Sequence, residues 1–152
     1  MGIDKDIHQV RFQNEYHRAS VNILFTYGWL MEQIKNFLEP FDITPQQFNI
    51  LRILRGSYPK PLSTLQLRDR LLDKMSDTSR IVDRLVVKGL VKKAISAKDR
   101  RLVDITISDK GRKLLQKLDL QQQELDGVLG NITENEAATL SKLLDKIRNV
   151  GE

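Results

Sequence analysis

Two clusters of side chains in this chain have the types and spacing to meet a polyanion. The first is Ser76-Asp77-Thr78-Ser79-Arg80, with Arg84 one helical turn further on. A guanidinium makes two parallel hydrogen bonds to O6 and N7 of guanine, and short hydroxyl side chains let a backbone approach phosphates or base edges. Asp77 either complements a helix N-terminus or accepts from a cytosine amino group. The second cluster is Lys98-Asp99-Arg100-Arg101. A narrow minor groove focuses negative potential and attracts an inserted arginine, which suits Arg101, and Asp99 can hold its guanidinium by paired hydrogen bonds. Lys98 and Arg100 flank the pair as phosphate contacts. Ser63 and Thr64 add a helix N-terminus that a phosphate can meet. Plainer alternatives stand beside each: an Arg80–Asp83 pair on a solvated helix, a structural bridge for Arg84, a simple hairpin ion pair for Arg101, capping for Ser63 and Thr64.

Periodicity supplies the elements that position these residues. A long helix is expected over about residues 8–38, with Leu24, Tyr27, Leu30, Met31, Ile34, Phe37 and Leu38 at helical spacing. Ile7, Val10 and Phe12 give its start more apolar surface than a solvated arm needs. Thr44-Pro45-Gln46-Gln47 is a capping box with proline at the first helical position. It opens a second helix to about Arg55, burying Phe48, Leu51, Ile53 and Leu54 and stopped by Gly56. Ser63-Thr64-Leu65-Gln66 opens a third, to about Leu72, with Leu65, Leu67, Leu71 and Leu72 inward. Asp73-Lys74-Met75 is short enough for the turn of a helix-turn-helix. Ser76 is the expected cap of a fourth helix whose Ile81, Val82, Leu85 and Val86 form a stripe, and Gly89 ends it.

Beyond Gly89 the period falls to two. Val103, Ile105 and Ile107 alternate with Asp104 and Thr106, so strands are expected at about 91–96 and 102–107 around the tip Ala97–Arg101. Ser108-Asp109 caps a fifth helix carrying Leu114, Leu118, Leu125, Val128, Leu129 and Ile132. Thr133-Glu134-Asn135-Glu136 opens a sixth, to about Arg148, burying Leu140, Leu143, Leu144 and Ile147. The expected fold is therefore mainly α with a small α+β wing: one domain over 1–152. Its winged helix-turn-helix lobe covers about 44–108, and its helical regions about 8–38 and 109–150. The end helices carry more apolar face than one small core can bury. A second copy packed against them resolves the surplus, and two-fold dimers are the commonest oligomer.

Charge sharpens the reading. The net charge is +5. Between Tyr58 and Lys113 there are fifteen Lys and Arg against seven Asp, and elsewhere ten against thirteen acids. A basic middle in an acidic frame is the footprint of nucleic-acid binding. With no cysteine, disulfides, thiolate metal sites and thiol redox chemistry are excluded. His8 and His17 lack companion ligands at metal spacing. There is no Gly-rich phosphate loop and no nucleophile or carboxylate constellation, so neither an enzyme nor a cofactor is expected. No apolar run is long enough for a membrane span, and a cytoplasmic address is expected. Tyr16, Tyr27, Trp29 and Phe48 are either core aromatics or the lining of a pocket for a small aromatic ligand.

The segments Leu67-Arg68-Asp69-Arg70-Leu71, Ile81-Val82-Asp83-Arg84-Leu85 and Lys88-Gly89-Leu90-Val91, followed by Asp99-Arg100-Arg101, Val103, Ile105, Ile107, Ser108 and Gly111, together resemble the MarR family of bacterial transcription regulators. The family's wing-tip Asp-x-Arg matches Asp99 and Arg101. Thr78 and Asp73 depart from it, standing where the family often has apolar residues. The resemblance implies a homodimer with recognition helices in consecutive major grooves and wings over the adjacent minor grooves. It also implies release by a small phenolic or other aromatic ligand, as in many relatives. The expectation is a sequence-specific regulator of transcription, a repressor, on double-stranded DNA with a pseudo-palindromic operator. The alternative is a winged-helix protein-interaction module without a DNA role.

Overall fold

The computed structural model describes residues 2–9 and 11–149; Val10 lies outside the described residues. The chain opens with a short helix, α1 (Ile3–Asp6), and only then enters the long helix α2 (Glu15–Leu38). The expected continuous helix from residue 8 is thus broken. The cause is local. Asn14 takes an extended conformation and its side chain accepts from the His17 amide, giving α2 its own N-cap. His8 sits at φ 54, a left-handed turn no helix can contain. Phe12 folds back so that Arg18 lies over its ring at 4.8 Å.

A single 3-10 turn (Glu39–Phe41) carrying Pro40 ends α2. The capping box at Thr44 then starts α3 (Pro45–Ser57). Gly56 lies inside α3 rather than stopping it. Termination falls to Tyr58, whose backbone is extended (ψ 137), as expected for a residue followed by proline. Ser63, again with a complete capping box, starts α4 (Thr64–Arg70). Only Leu67 and Leu71 turn inward there; Leu65 and Leu72 are exposed, because α4 is only about two turns long and the core touches one narrow edge of it.

Helix α5 (Thr78–Val87) is capped by Asp77, whose carboxylate accepts from the Arg80 amide, and not by Ser76. Val82 and Leu85 are buried, Ile81 is half-buried and Val86 is exposed. Gly89 at φ +73 makes the left-handed exit from α5 that glycine tolerates. Strands β1 (Val91–Ile95) and β2 (Val103–Ile107) pair antiparallel, Val91 opposite Ile107 and Ile95 opposite Val103. Leu62 adds a one-residue third rung through two backbone bonds to Ile105.

Ser108 caps α6 (Asp109–Asp119). The expected fifth helix does not run through: the chain turns at Leu120-Gln121, continues as α7 (Gln122–Asp126), and closes in a 3-10 turn (Gly127–Leu129). Leu118 nevertheless lies in the core and Leu125 packs against it. The Thr133 capping box starts α8 (Glu134–Arg148). Its Leu140, Leu143 and Ile147, expected to be buried, are exposed, with Leu144 half-buried.

The core belongs to the middle of the chain. Ile50, Leu51 and Leu54 of α3 are at most 1% exposed. Around them α3 packs on β2, α5 and α6, bringing in Leu67, Val82, Leu85, Ile105 and Leu115. Both Ile105 and Ile107 face this core, as their two-residue spacing requires.

One contact in the core is unusually close. A Cβ on Gly111 would lie 2.3 Å from the Leu90 carbonyl oxygen and 2.8 Å from Ile107 Cγ1. Gly111→Ala must therefore push α6 away from the strands, and it should destabilise the fold by about 1–3 kcal/mol or more. Gly56→Ala meets nothing within 4 Å and should stabilise α3 by about 0.5–1 kcal/mol. Urea unfolding of the two variants checks both signs.

Candidate nucleic-acid interface

Helix α5 divides its side chains by the packing of its apolar stripe. With Val82 and Leu85 inward, Ser79, Arg80, Asp83 and Arg84 stand exposed on the opposite side. Thr78 does not join them. It is 4% exposed and its hydroxyl oxygen is buried without a hydrogen-bond partner, so Thr78 is removed from the set of groups able to touch a ligand. Its position is a core one, filled here by a polar side chain whose unpaired hydroxyl costs about 1–3 kcal/mol. Ser76 is half-buried beneath the turn before α5, away from the capping role.

The turn between α4 and α5 is fixed at three points. The Leu72 amide donates to Asn49 Oδ1 at 3.0 Å. The Met75 amide donates to Asp73 Oδ1 at 3.0 Å. The Lys74 ammonium donates to the carbonyls of Arg68 and Asp69 at the end of α4. Asp73, a departure from the apolar residue common in the family, thus has a structural job in the turn.

Asp83 does not pair with Arg80. Lys93 of β1 reaches it, Nζ to Oδ1 at 3.1 Å, which ties the wing to α5. The Arg80 and Arg84 guanidinium groups have no hydrogen-bond partner among the described residues, leaving their donors free for an external acceptor.

The wing tip is more tightly built than its sequence implies. Ser96 is 7% exposed, and its hydroxyl oxygen accepts from the amides of Lys98 (3.3 Å) and Asp99 (3.4 Å). The Leu102 amide closes the turn on the Asp99 carbonyl at 3.0 Å. Asp99 Oδ1 then accepts from the Arg101 amide (3.0 Å) and Nε (3.1 Å), and Oδ2 from a terminal guanidinium nitrogen (3.1 Å). The Arg101 side chain is nevertheless 89% exposed. A guanidinium held by two oxygens and still facing solvent is aimed. Ser96 was not among the residues picked out by charge and type. The signal was there, since serine followed by a short polar run favours a side-chain-bonded turn.

Ser63 and Thr64 are half-buried at the start of α4, where the Ser63 hydroxyl accepts from the Gln66 amide at 3.2 Å. Lys98 and Arg100 are exposed beside Arg101.

A cavity of about 630 Å³ lies between α2, α3 and the α4–α5 turn, lined by Tyr27, Leu30, Phe48, Arg52, Leu71, Leu72, Asp73 and Ser76 among others. Two of the four aromatics considered for a ligand pocket, Tyr27 and Phe48, line it. Tyr16 and Trp29 do not; they sit exposed along α2, where the helix turns them away from α3. Arg52 stacks over the Phe48 ring at 5.4 Å and supplies the cavity with a cation.

Comparison with known proteins matches residues 41–102 to the model of the MarR family. The multiple antibiotic resistance protein MarR of Escherichia coli strain K12 is 31% identical over 116 residues, covering 75% of this chain and 79% of that protein. A crystal structure of a MarR point mutant from E. coli, complexed with operator DNA, superposes with a TM-score of 0.80 at 28% identity, covering 91% of this chain and 99% of that one. A MarR transcription factor from Planctomyces limnophilus gives 0.67 at 30% identity, covering 89% and 98%.

The Asp99–Arg101 pair has a direct signature. The side-chain hydrogen bonds from Arg101, followed by its backbone N–H, hold the Asp99 carboxyl below the ordinary aspartate value. Because the folded value is depressed, the pair is intact above the unfolded-state pKa and is lost as pH falls through the folded one. Following the Asp99 carboxylate carbon by NMR during acid titration should give a midpoint below that of a free aspartate. Arg101→Ala should raise it again; an unchanged midpoint would remove the pairing.

Proposed function

The chain belongs to the MarR family, and from that premise we propose that it is a transcription regulator, a homodimeric repressor, that reads double-stranded DNA with α5 and clamps it with the wing. The observation that carries this reading is Arg101, held by both oxygens of Asp99 yet standing free in solvent. Such a group is ordered before it meets its target and loses little entropy on insertion. The E. coli relative's complex with operator DNA supports the assignment. In this reading Ser79, Arg80 and Arg84 face base edges or phosphates in the major groove. Ser63 and Thr64 meet a flanking phosphate, Lys98 and Arg100 hold the backbone beside the wing, and Asp77 accepts at the helix start with the oxygen its cap leaves free. Action on DNA places the protein in the cytoplasm.

The dimer is the second part of the proposal. Leu24 of α2 is 71% exposed, and Leu143 and Ile147 of α8 are 55% and 58% exposed. In a lone subunit these apolar faces meet water, whereas a symmetric partner covers them and sets two α5 helices one DNA turn apart. The operator is then a pseudo-palindrome.

Ligand response is the third part. The cavity under α3 shares Leu72, Asp73 and Ser76 with the turn that positions α5. A small aromatic acid seated between Tyr27 and Phe48, with its charge on Arg52, would press on that turn and shift α5. Differential affinity for the two positions of α5 is all such gating requires.

Fluorescence anisotropy on an operator selected from random DNA tests the DNA reading. Affinity should fall steeply with salt, each phosphate contact adding about 0.9 to the log–log slope. Arg101→Ala should cost about 1–3 kcal/mol per groove contact. Asp99→Ala removes a negative charge near phosphate and should still weaken binding, and the double variant should cost little more than Arg101→Ala, since the two act as one unit. Tighter binding by Asp99→Ala, with folding intact, would falsify the aiming role; affinity indifferent to salt would remove the DNA reading itself.

Light scattering tests the assembly. The parent chain should be a dimer at micromolar concentration, and Leu143→Glu should yield monomers by placing charge in the apolar face. A monomeric parent overturns the dimer.

A further inference from the structure

A second cavity, of about 610 Å³, opens where the 3-10 turn after α2 meets the end of α5 and one edge of α6. Its apolar lining comes from Phe41, Leu90 and Leu114, and its rim from Lys88, Lys110, Lys113 and Lys117. The three α6 lysines fall on one edge of that helix because positions 110, 113 and 117 repeat at helical spacing.

The charge at this rim is poorly compensated. Both acids of α6 are engaged with arginines at a different edge: Asp109 with Arg112 and Asp119 with Arg55. Asp109 also feels Lys113, though its hydrogen bonds go to Arg112. The one acid lining the cavity, Asp42, has a 98% exposed side chain and lies 3.9 Å from Lys88 Nζ, too far for a good hydrogen bond. Lys88 instead donates to neutral oxygens, the Asp42 carbonyl and Gln47 Oε1. Lys110 donates to the Lys88 carbonyl at 2.9 Å, which completes the C-terminus of α5. Capping accounts for Lys110 and packing for Lys88. Neither explains Lys113 and Lys117, which make no hydrogen bond or ion pair among the described residues.

The cluster also lies away from the DNA-facing groups. Lys88 follows the last residue of α5, about 15 Å along the axis from the start of the helix. Lys110 follows the base of the ribbon, about 17 Å from the wing tip. These are the ends opposite to Arg80 and Arg101.

We propose that this cavity binds a small amphipathic carboxylate, its apolar body against Phe41, Leu90 and Leu114 and its carboxylate on Lys113 and Lys117. The lining sets the class: a multiply charged ligand would leave charge against three apolar side chains, while a neutral one would leave the lysines unanswered. Such a site touches the end of α5 and runs along most of α6, and it is independent of the Tyr27–Phe48 cavity and of the DNA reading.

The test uses the full chain, first without DNA and then, for the variant, with it. Octanoate and hydrocinnamate represent aliphatic and aromatic carboxylates, and octanamide is the neutral control. In amide NMR spectra one or both acids should shift Leu90 and Leu114 saturably, octanamide should not, and whichever acid binds identifies the body the cavity prefers. The K113Q/K117Q double variant should weaken that acid about a hundredfold, roughly tenfold for each charge-assisted hydrogen bond lost. Both lysines are exposed and glutamine keeps helix propensity, so the thermal unfolding midpoint should be unchanged. Shifts confined to Tyr27 and Phe48, no saturable shifts, or acid binding unchanged in the variant would each overturn the site. So would a lower salt slope for DNA binding by K113Q/K117Q, which would make the cluster part of the DNA surface.

Discussion

The backbone of Gly89-Leu90 touches that of Ser108–Gly111, and the placement of α5 relative to the wing and to α6 follows from that contact. The Ser108 hydroxyl donates to the Gly89 carbonyl at 2.6 Å and accepts from the Gly111 amide at 3.1 Å, while the Ser108 amide donates to the Leu90 carbonyl at 3.0 Å. One junction thus joins the end of α5, the start of β1, the end of β2 and the start of α6. Gly89 is needed for the left-handed exit and Gly111 for the close approach of α6. With the junction fixed, the angle between recognition helix and wing is fixed as well, and the Lys93–Asp83 bridge holds the two from the far side.

Around that frame the lobe disposes of its acids. Of the seven aspartates between Tyr58 and Lys113, five accept within the lobe. Asp73 closes the helix-turn-helix turn, Asp77 caps α5, Asp83 holds Lys93, Asp99 holds Arg101 and Asp109 holds Arg112. Exposed pairs of this kind contribute little to stability. Their effect is to orient cations or backbone while the arginines of α5 keep their donors free. A basic lobe could be built without aspartate; this one uses aspartate to orient Lys93, Arg101 and Arg112 and to close the turn and cap before α5.

The helical extensions follow a different logic. The lobe fills its own core with α3, α5 and β2, so α2 and α8 have little left to bury within one chain. Beyond the end of α2, where Phe37 and Leu38 join the core, much of their apolar stripes stays exposed in the single subunit. The second subunit we propose covers such faces, and apolar burial contributes about 25 cal/mol per Å² wherever the covering surface comes from.

Much of this was written in local sequence. The capping boxes at Thr44, Ser63 and Thr133 form as their residues dictate, because a cap needs only neighbours three positions apart. The alternation at Val103, Ile105 and Ile107 gives the strand, and Asp99 finds Arg101 because the tight turn leaves them adjacent. Other features needed the folded chain. Periodicity marks an apolar stripe but not what covers it, so Leu65, Leu72, Leu140 and Leu143 read as core and prove exposed. Thr78 reads as a surface hydroxyl and is buried, because residue type at a helix start does not tell which side of the helix the rest of the chain covers. The lysine edge of α6 and the Arg55–Asp119 pair join residues 22 and 64 positions apart or more. Such meetings depend on how helices pack, and packing is decided by the whole core at once, whereas caps, turns and strand periods are decided within a few residues.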